Sequence, residues 1–198
     1  MHRFFLAAIL LVVGLPANSQ DKYFPPKAFS DDVRLNQFVY DWYSSELKVL
    51  EEPSLFEMAG NRAAETYRFL WLRTFDHPVA VRLEFRNDGS AVISAKVATG
   101  SSGYPDKKAQ LLENFSRPIT RKQTQVFQML LKKIDFWKLP SSDEHHGNDG
   151  ADWIVEGVKQ GTYHLVVRWS PKEGGIRELG EMLAFGLADL KIPKDRVY

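Results

Sequence analysis

The sequence predicts an α+β domain built on a mainly antiparallel sheet. Three observations predict it. β-rich runs fall in two groups, at about 67–98 and 152–169. Tight turn signals separate the runs within each group, as in meanders and hairpins. Stretches with helical spacing of apolar residues lie before, between and after the two groups. No internal repeat or domain boundary interrupts 32–198, which reads as a single domain.

The elements follow in order. Residues 1–19 read as a secretory signal peptide. His2 and Arg3 give a basic start, Phe4 to Val13 is an apolar run, and Ala17-Asn18-Ser19 supplies the small residues of a cleavage site. That run is too short to span a bilayer, which takes roughly 20 residues. The expected product is a soluble periplasmic or secreted protein beginning at Gln20, with no membrane insertion. Residues 20–31, with Pro25-Pro26, read as a flexible, extended arm. From about 32 to 50 the apolar residues Leu35, Phe38, Val39 and Trp42 recur at helical spacing, and Pro53 marks the break.

Strands are expected at about 67–75, 79–86 and 90–98, the last two joined by Asn87-Asp88-Gly89. In the second, Val79, Val81, Leu83 and Phe85 alternate with Ala80, Arg82, Glu84 and Arg86, which predicts one buried and one largely wet face. Gln110 to Phe115 is a candidate fourth strand. Thr120 with Gln123 has the form of a capping box. It opens a helix over about 120–135 on the stripe Val126, Phe127, Leu130, Leu131 and Ile134. Strands at about 152–158 and 162–169 read as a hairpin. A last helix is expected over about 176–190, with Leu179, Leu183, Leu187 and Leu190 on one side.

Charge and composition exclude several functions. The chain has 26 Lys+Arg and 25 Asp+Glu, and removal of the leader, with its single Arg, leaves a formally neutral protein. Nucleic-acid binding needs a basic excess or stripe, and none is visible. The absence of cysteine rules out thiol nucleophiles, thiolate zinc sites and dithiol redox chemistry. Stability must then come from packing, for which thirteen Phe, seven Tyr and five Trp supply large side chains.

One resemblance is visible. The strings "YRFLWLRTFDHPVAVRLE" (67–84), Phe136-Trp137, Asp149-Gly150 before Trp153, and Tyr163-His164 ahead of Arg168-Trp169-Ser170-Pro171 resemble a family of exported bacterial proteins of unassigned function. The resemblance spans about 66–198 and implies a bacterial, exported origin. It carries no activity, cofactor or catalytic residue.

Candidate chemistry is sparse. The run "SSDEHHGNDGADW" (141–153) holds the weak metal candidates His145, His146 and Asp149. Its spacing fits neither an EF-hand loop nor the His-x-x-x-His helical pair of zinc hydrolases. A polar connection, turning at Asn148-Asp149-Gly150, accounts for it better, and no metal is expected to be needed for folding. Ser45-Glu46-Leu47-Lys48 matches the S-x-x-K of penicillin-binding proteins, but its companion motifs are missing. "GSSG" (100–103) lacks the strand-to-helix setting of a nucleophile loop. No cofactor signature is present. Asp152, Glu156, His164 and Arg168 are the candidate catalytic groups of a small envelope-polymer hydrolase. Trp42, Trp71, Trp137, Trp153 and Trp169 could form a carbohydrate or peptide platform, but four of the five lie within or beside apolar patterns, and core packing is the expectation.

The hairpin allows a register to be predicted. A three-residue loop Lys159-Gln160-Gly161 would set Glu156 opposite His164 and Asp152 opposite Arg168, matching acid to base at roughly 0.2–1 kcal/mol per pair. A two-residue loop Gln160-Gly161 would set Glu156 opposite Leu165 instead. The first register is the expectation, with Glu156–His164 a structural pair. The function expected is an exported, non-enzymatic module that binds another protein or an envelope component, the hydrolase being the alternative.

Overall fold

A computed structural model describes residues 22–103, 108–143 and 147–198. The leader reading, and His145 and His146, fall outside the described residues. Helix α1 (Val33–Val49) starts at Asp32, whose side chain accepts from the amides of Arg34 and Leu35 at 2.9 Å each. It stops where Glu51 takes a left-handed φ of 52° ahead of Pro53. A single turn, α2 (Leu55–Met58), is capped by Ser54. Strands β1 (Glu65–Arg73), β2 (Val79–Phe85), β3 (Ala91–Ala98) and β4 (Leu111–Ile119) form the expected meander, and the candidate fourth strand is real and longer than foreseen. Helix α3 (Arg121–Lys133) opens on the Thr120–Gln123 capping box. After a short 3₁₀ turn at Phe136–Lys138 come β5 (Ala151–Lys159) and β6 (Thr162–Trp169).

The six strands form one antiparallel sheet in the order β4-β3-β2-β1-β5-β6, which makes the fold α+β. The two sequence groups therefore join along β1 and β5, with Phe69 opposite Val155 and Trp71 opposite Trp153. The last helix is not the uniform α-helix expected over 176–190. Helix α4 (Gly175–Glu181) widens into a π-helical turn at Met182–Leu187, and Asp189 turns out with a left-handed φ of 60°.

Both faces of the sheet are covered. On one, α3 and α4 pack on Phe69, Trp71, Trp153 and Val155. On this side Gly180 lies against the Trp153 ring, where a β-carbon would come within 2.6 Å. The indole N–H groups of Trp71 and Trp153 both donate to the main-chain oxygen of Tyr198, at 3.1 and 2.8 Å. On the other face, the second half of α1 and the N-terminal segment pack on Leu70, Leu72, Ala80 and Ile154. That face is not the largely wet surface expected from β2. Nor is 22–31 a loose arm, since Tyr23 and Phe24 are buried. The two aromatic anchors flank no regular pattern, so periodicity could not reveal them. Among the described residues no helix is long and apolar enough to cross a membrane.

The hairpin register is the other one. Lys159 pairs with Thr162, Glu156 with Leu165 and Asp152 with Trp169. The loop is Gln160-Gly161, both at positive φ (53° and 84°), the type I′ geometry that suits strand twist. The acid–base matching within the hairpin was outweighed by partners outside it. Glu156 lies directly opposite Arg68 of β1, and its carboxylate accepts from Arg68 Nε and Nη2 at 2.7 and 2.5 Å.

A candidate ligand pocket beneath the first helix

Adjacent residues on β5 point to opposite faces, and this sorts the predicted site residues. Asp152 and Glu156 share the face under α1, while His164 lies on the other, edge-on to Phe136 at 5.1 Å. The expected Glu156–His164 pair does not exist. His164 Nε2 is buried without a hydrogen-bond partner, and burial lowers the His164 pKa against opposing bonds from main-chain groups of Leu139 and Phe136. Asp152 and Glu156 are four residues apart on one strand, about 13 Å along it at 3.3 Å per residue. Their carboxylates are taken by different partners, Asp152 by the Tyr43 hydroxyl and Glu156 by Arg68 and Tyr163, so they do not act as a facing pair.

Glu156 is also fully committed. Besides Arg68, it accepts from the Tyr163 hydroxyl at 2.9 Å. Arg68 further donates to the Pro53 carbonyl at 2.7 Å and lies 3.6 Å from Glu52, which Arg82 and Lys96 approach to 3.0 and 3.2 Å. Arg68, Glu52 and Glu156 have side chains wholly removed from solvent. Burial raises the Glu156 carboxyl pKa, with the Arg68 charge and the Arg68 and Tyr163 hydrogen bonds opposing. Burial would lower Arg68, but Glu156 and Glu52 outweigh it and push the guanidinium up. This is an internal charge network sealed from substrate.

Arg168 has a mechanical role. It lies 3.3 Å from Asp143 and donates to the Pro140 and Val167 carbonyls at 3.0 and 2.7 Å. It thus ties the start of the acidic connection to the edge of β6, where the Val167 amide also donates to Ser141 O at 2.7 Å. The connection's far end is held by Thr74, which exchanges hydrogen bonds with Gly150, and by Ser170, which takes the Ala151 amide at 2.8 Å. Between these clamps Gly147 and Gly150 lie on the Trp169 ring, so close that a β-carbon at either would collide with it. The glycines are there because an indole occupies the space.

Asp152 stands apart from the network. It accepts a hydrogen bond from the buried Tyr43 hydroxyl. Burial, with the Asp152 charge and hydrogen bond adding to it, holds the Tyr43 pKa well above its ordinary value. Together they floor a cavity of about 380 Å³, walled by Leu35, Val39 and Trp42 of α1, by Phe29, and by Trp169 and the glycine connection. The volume suits a small organic ligand, for which pockets start at roughly 300 Å³. Comparison with protein-family models, curated proteins and solved structures finds no match for this chain. The site must therefore be read from its own chemistry.

The first half of α1 makes this cavity. Helical spacing puts Leu35, Phe38, Val39 and Trp42 on one side of α1, yet Leu35 and Phe38 are 52% and 65% exposed. Val39, Tyr40 and Trp42 are half-buried against the core on this face, and full burial begins at Tyr43. Trp42 is held at the rim, its Nε1 donating to Ser102 O at 2.9 Å. Around Trp42 the cavity continues into a second hollow lined by Phe38, Asp41, Ser102 and Asp149. Of the metal candidates, Asp149 borders this hollow, and among the described residues no three His, Asp or Glu side chains cluster as metal ligands. Sequence reasoning missed Tyr43, and it weighed Trp42 and Trp169 as part of a ligand platform but preferred core packing for them. The available signal was an apolar helix stripe ending in adjacent Trp42-Tyr43.

Proposed function

We propose that this protein is a non-enzymatic binding domain of the bacterial cell envelope, exported by its leader, that holds a ligand beneath α1. One observation carries the reading: the first half of α1, with Leu35 exposed and Val39 half-buried, roofs a cavity floored by Tyr43 and Asp152 and edged by the polar side chains of Ser142, Asp143 and Asn148. A catalytic reading needs converging acid, base or nucleophile. Here the candidate groups diverge, with Glu156 sealed in the Arg68 network and His164 on the far face.

The test is mass spectrometry, under non-denaturing conditions, of the tagged protein purified from its own envelope fraction. Wild-type protein should carry a small-molecule adduct. Val39→Trp, which fills the cavity from its roof, should lose the adduct at unchanged melting temperature. An adduct-free wild type, or an adduct indifferent to Val39→Trp, would refute the proposal.

A further inference from the structure

The two edges of the sheet differ. At β6 the chain covers its own edge: the Val167 amide donates to Ser141 O at 2.7 Å, and Arg168 reaches the Pro140 carbonyl at 3.0 Å. At β4 the edge is bare. Leu112, Glu113, Asn114, Ser116, Arg117 and Pro118 are all exposed, and among the described residues nothing bonds to the main chain of Asn114 or Ser116 on the outer side. An open edge of this length is a template for another strand.

The neighbouring ladders fix which groups face outward. Arg86 N donates to Ser90 O and Ala98 N to Pro78 O, so the even-numbered residues of β3 bond to β2 and the odd-numbered ones to β4. Ile93 is paired with Arg117 and Ala95 with Phe115, which leaves Asn114, Ser116 and Pro118 with their main chain turned outward. Pro118 thus has its missing N–H on the free edge, where a sheet tolerates proline.

The sequence of β4 is complementary to itself. Run antiparallel about Phe115, it sets Asn114 against Ser116 of a second copy as a hydrogen-bonded pair. Phe115 then meets Phe115, and Glu113 meets Arg117 in both directions, at the closer, non-hydrogen-bonded positions. Phe115 and Ile119 pack into the core on the α3 and α4 side, so by alternation Glu113 and Arg117 lie on that side too. A slip of two residues either way would set Glu113 against Phe115 or Ile119 and lose both ion pairs. Arg117 is steadied by its bond to the Leu187 carbonyl at 2.6 Å and keeps further donors for a carboxylate. The chain is nearly neutral, with 26 Lys+Arg and 25 Asp+Glu, so two copies approach without net repulsion. We infer that the protein forms a two-fold dimer through β4, joining two sheets edge to edge. The axis stands perpendicular to the joined sheet, so both α1 helices lie on one side of it.

Sedimentation velocity of the mature protein over a dilution series tests this. One strand pair is a small interface, so wild-type protein should pass reversibly from monomer to dimer between about 1 µM and 1 mM. Glu113→Arg sets Arg against Arg117 twice and should weaken the dimer at least about tenfold. Arg117→Glu sets Glu against Glu113 with the same result. Mixed in equal parts, these two variants should dimerise with each other, because every charged pair across the edge is again acid to base. Ser116→Pro removes an outward N–H, leaves the β3 ladder intact and should also give monomer. Melting temperatures establish that each variant is folded, and Glu113→Arg and Ser116→Pro decide the matter if Arg117→Glu, which loses the Leu187 bond, is not. Wild-type protein that stays monomeric throughout would overturn the inference. So would a dimer left intact by Glu113→Arg and Ser116→Pro, or a mixture of folded charge variants that stays monomeric.

Discussion

Replacing Glu156 by Gln removes one charge from the interior and almost no volume. The structure says what that leaves behind. Arg68 keeps the Pro53 carbonyl at 2.7 Å and Glu52 at 3.6 Å, but Glu52 is already engaged by Arg82 and Lys96. Three cations would then share one fully buried carboxylate, Glu84 being half-exposed beside Arg82. Breaking a buried pair by removing one partner costs roughly 3–5 kcal/mol, because the surviving charge has lost its solvent and its counter-ion. The amide oxygen of Gln can still accept from Arg68, so the lower end, about 3 kcal/mol, is expected. With a urea m-value of about 2 kcal/mol per molar, the midpoint should fall by about 1.5 M at unchanged slope. Arg68→Met should cost at least as much, since it leaves the buried Glu156 carboxylate with only the Tyr163 hydroxyl, while Glu52 keeps Arg82 and Lys96. The double variant Arg68→Met with Glu156→Leu should be closer to wild type than either single, as apolar replacement of a buried pair is often neutral or better. A Glu156→Gln midpoint within about 0.3 M of wild type would refute the reasoning, as would simple additivity in the double variant.

Other outcomes follow from single sites. Burial raises the Glu46 pKa from 4.5 to about 7, with a Trp42 hydrogen bond opposing. The folded state therefore holds a proton that the unfolded state releases, and stability falls as pH rises from about 4.5 to about 7, by at most about 3 kcal/mol. Glu46→Gln should remove that fall and melt higher than wild type at pH 8. The lowered pKa of His164 acts in the opposite sense, so the informative quantity is the difference in pH slope between variant and wild type. Gly180→Ala should destabilise by about 1–3 kcal/mol, although Ala is ordinarily the better helix former, because its β-carbon meets the Trp153 ring at 2.6 Å. Gln160→Asn should raise the melting temperature slightly, Asn-Gly being the preferred type I′ pair, whereas Gly161→Ala should cost about 1 kcal/mol of stability at its φ of 84°. If Gln160→Asn destabilises, the two-residue loop is wrong.

The fold was legible where local pattern decides. The Thr120–Gln123 box, the Asn87-Asp88-Gly89 turn and the alternation of β2 each name their element without reference to anything distant. What failed needed a neighbour from far along the chain. The hairpin register turned on Arg68, 88 residues from Glu156, and two bonds to a buried guanidinium outweigh a surface acid–base match. Burial of Tyr23 and Phe24 depended on α1 and the sheet presenting a shelf for them, which no periodicity encodes. The pocket was hidden for a related reason. Helical spacing shows that Leu35, Phe38, Val39 and Trp42 share a side, but not whether anything packs against it. In the acidic connection, Gly150 was credited to a turn. It does precede the strand, but Gly147 and Gly150 both answer to Trp169.

The junction of β1 with β5 also bears on how the chain assembles. Each side of it is made locally: β1 to β3 by short turns, β5 and β6 by a two-residue loop. The junction itself waits for the intervening strands and α3, and such long-range closure is the slow part of folding a sheet. Until it closes, each half has a raw strand edge, and each edge bears half of the buried ion pair, Arg68 on one and Glu156 on the other. A foreign strand that docked on either edge would have to bury that charge unanswered. The same pair that locks the finished sheet thus guards the unfinished one against mispairing. Chains nicked in the acidic connection, near Ser142, should yield two fragments that ignore other strands and find each other.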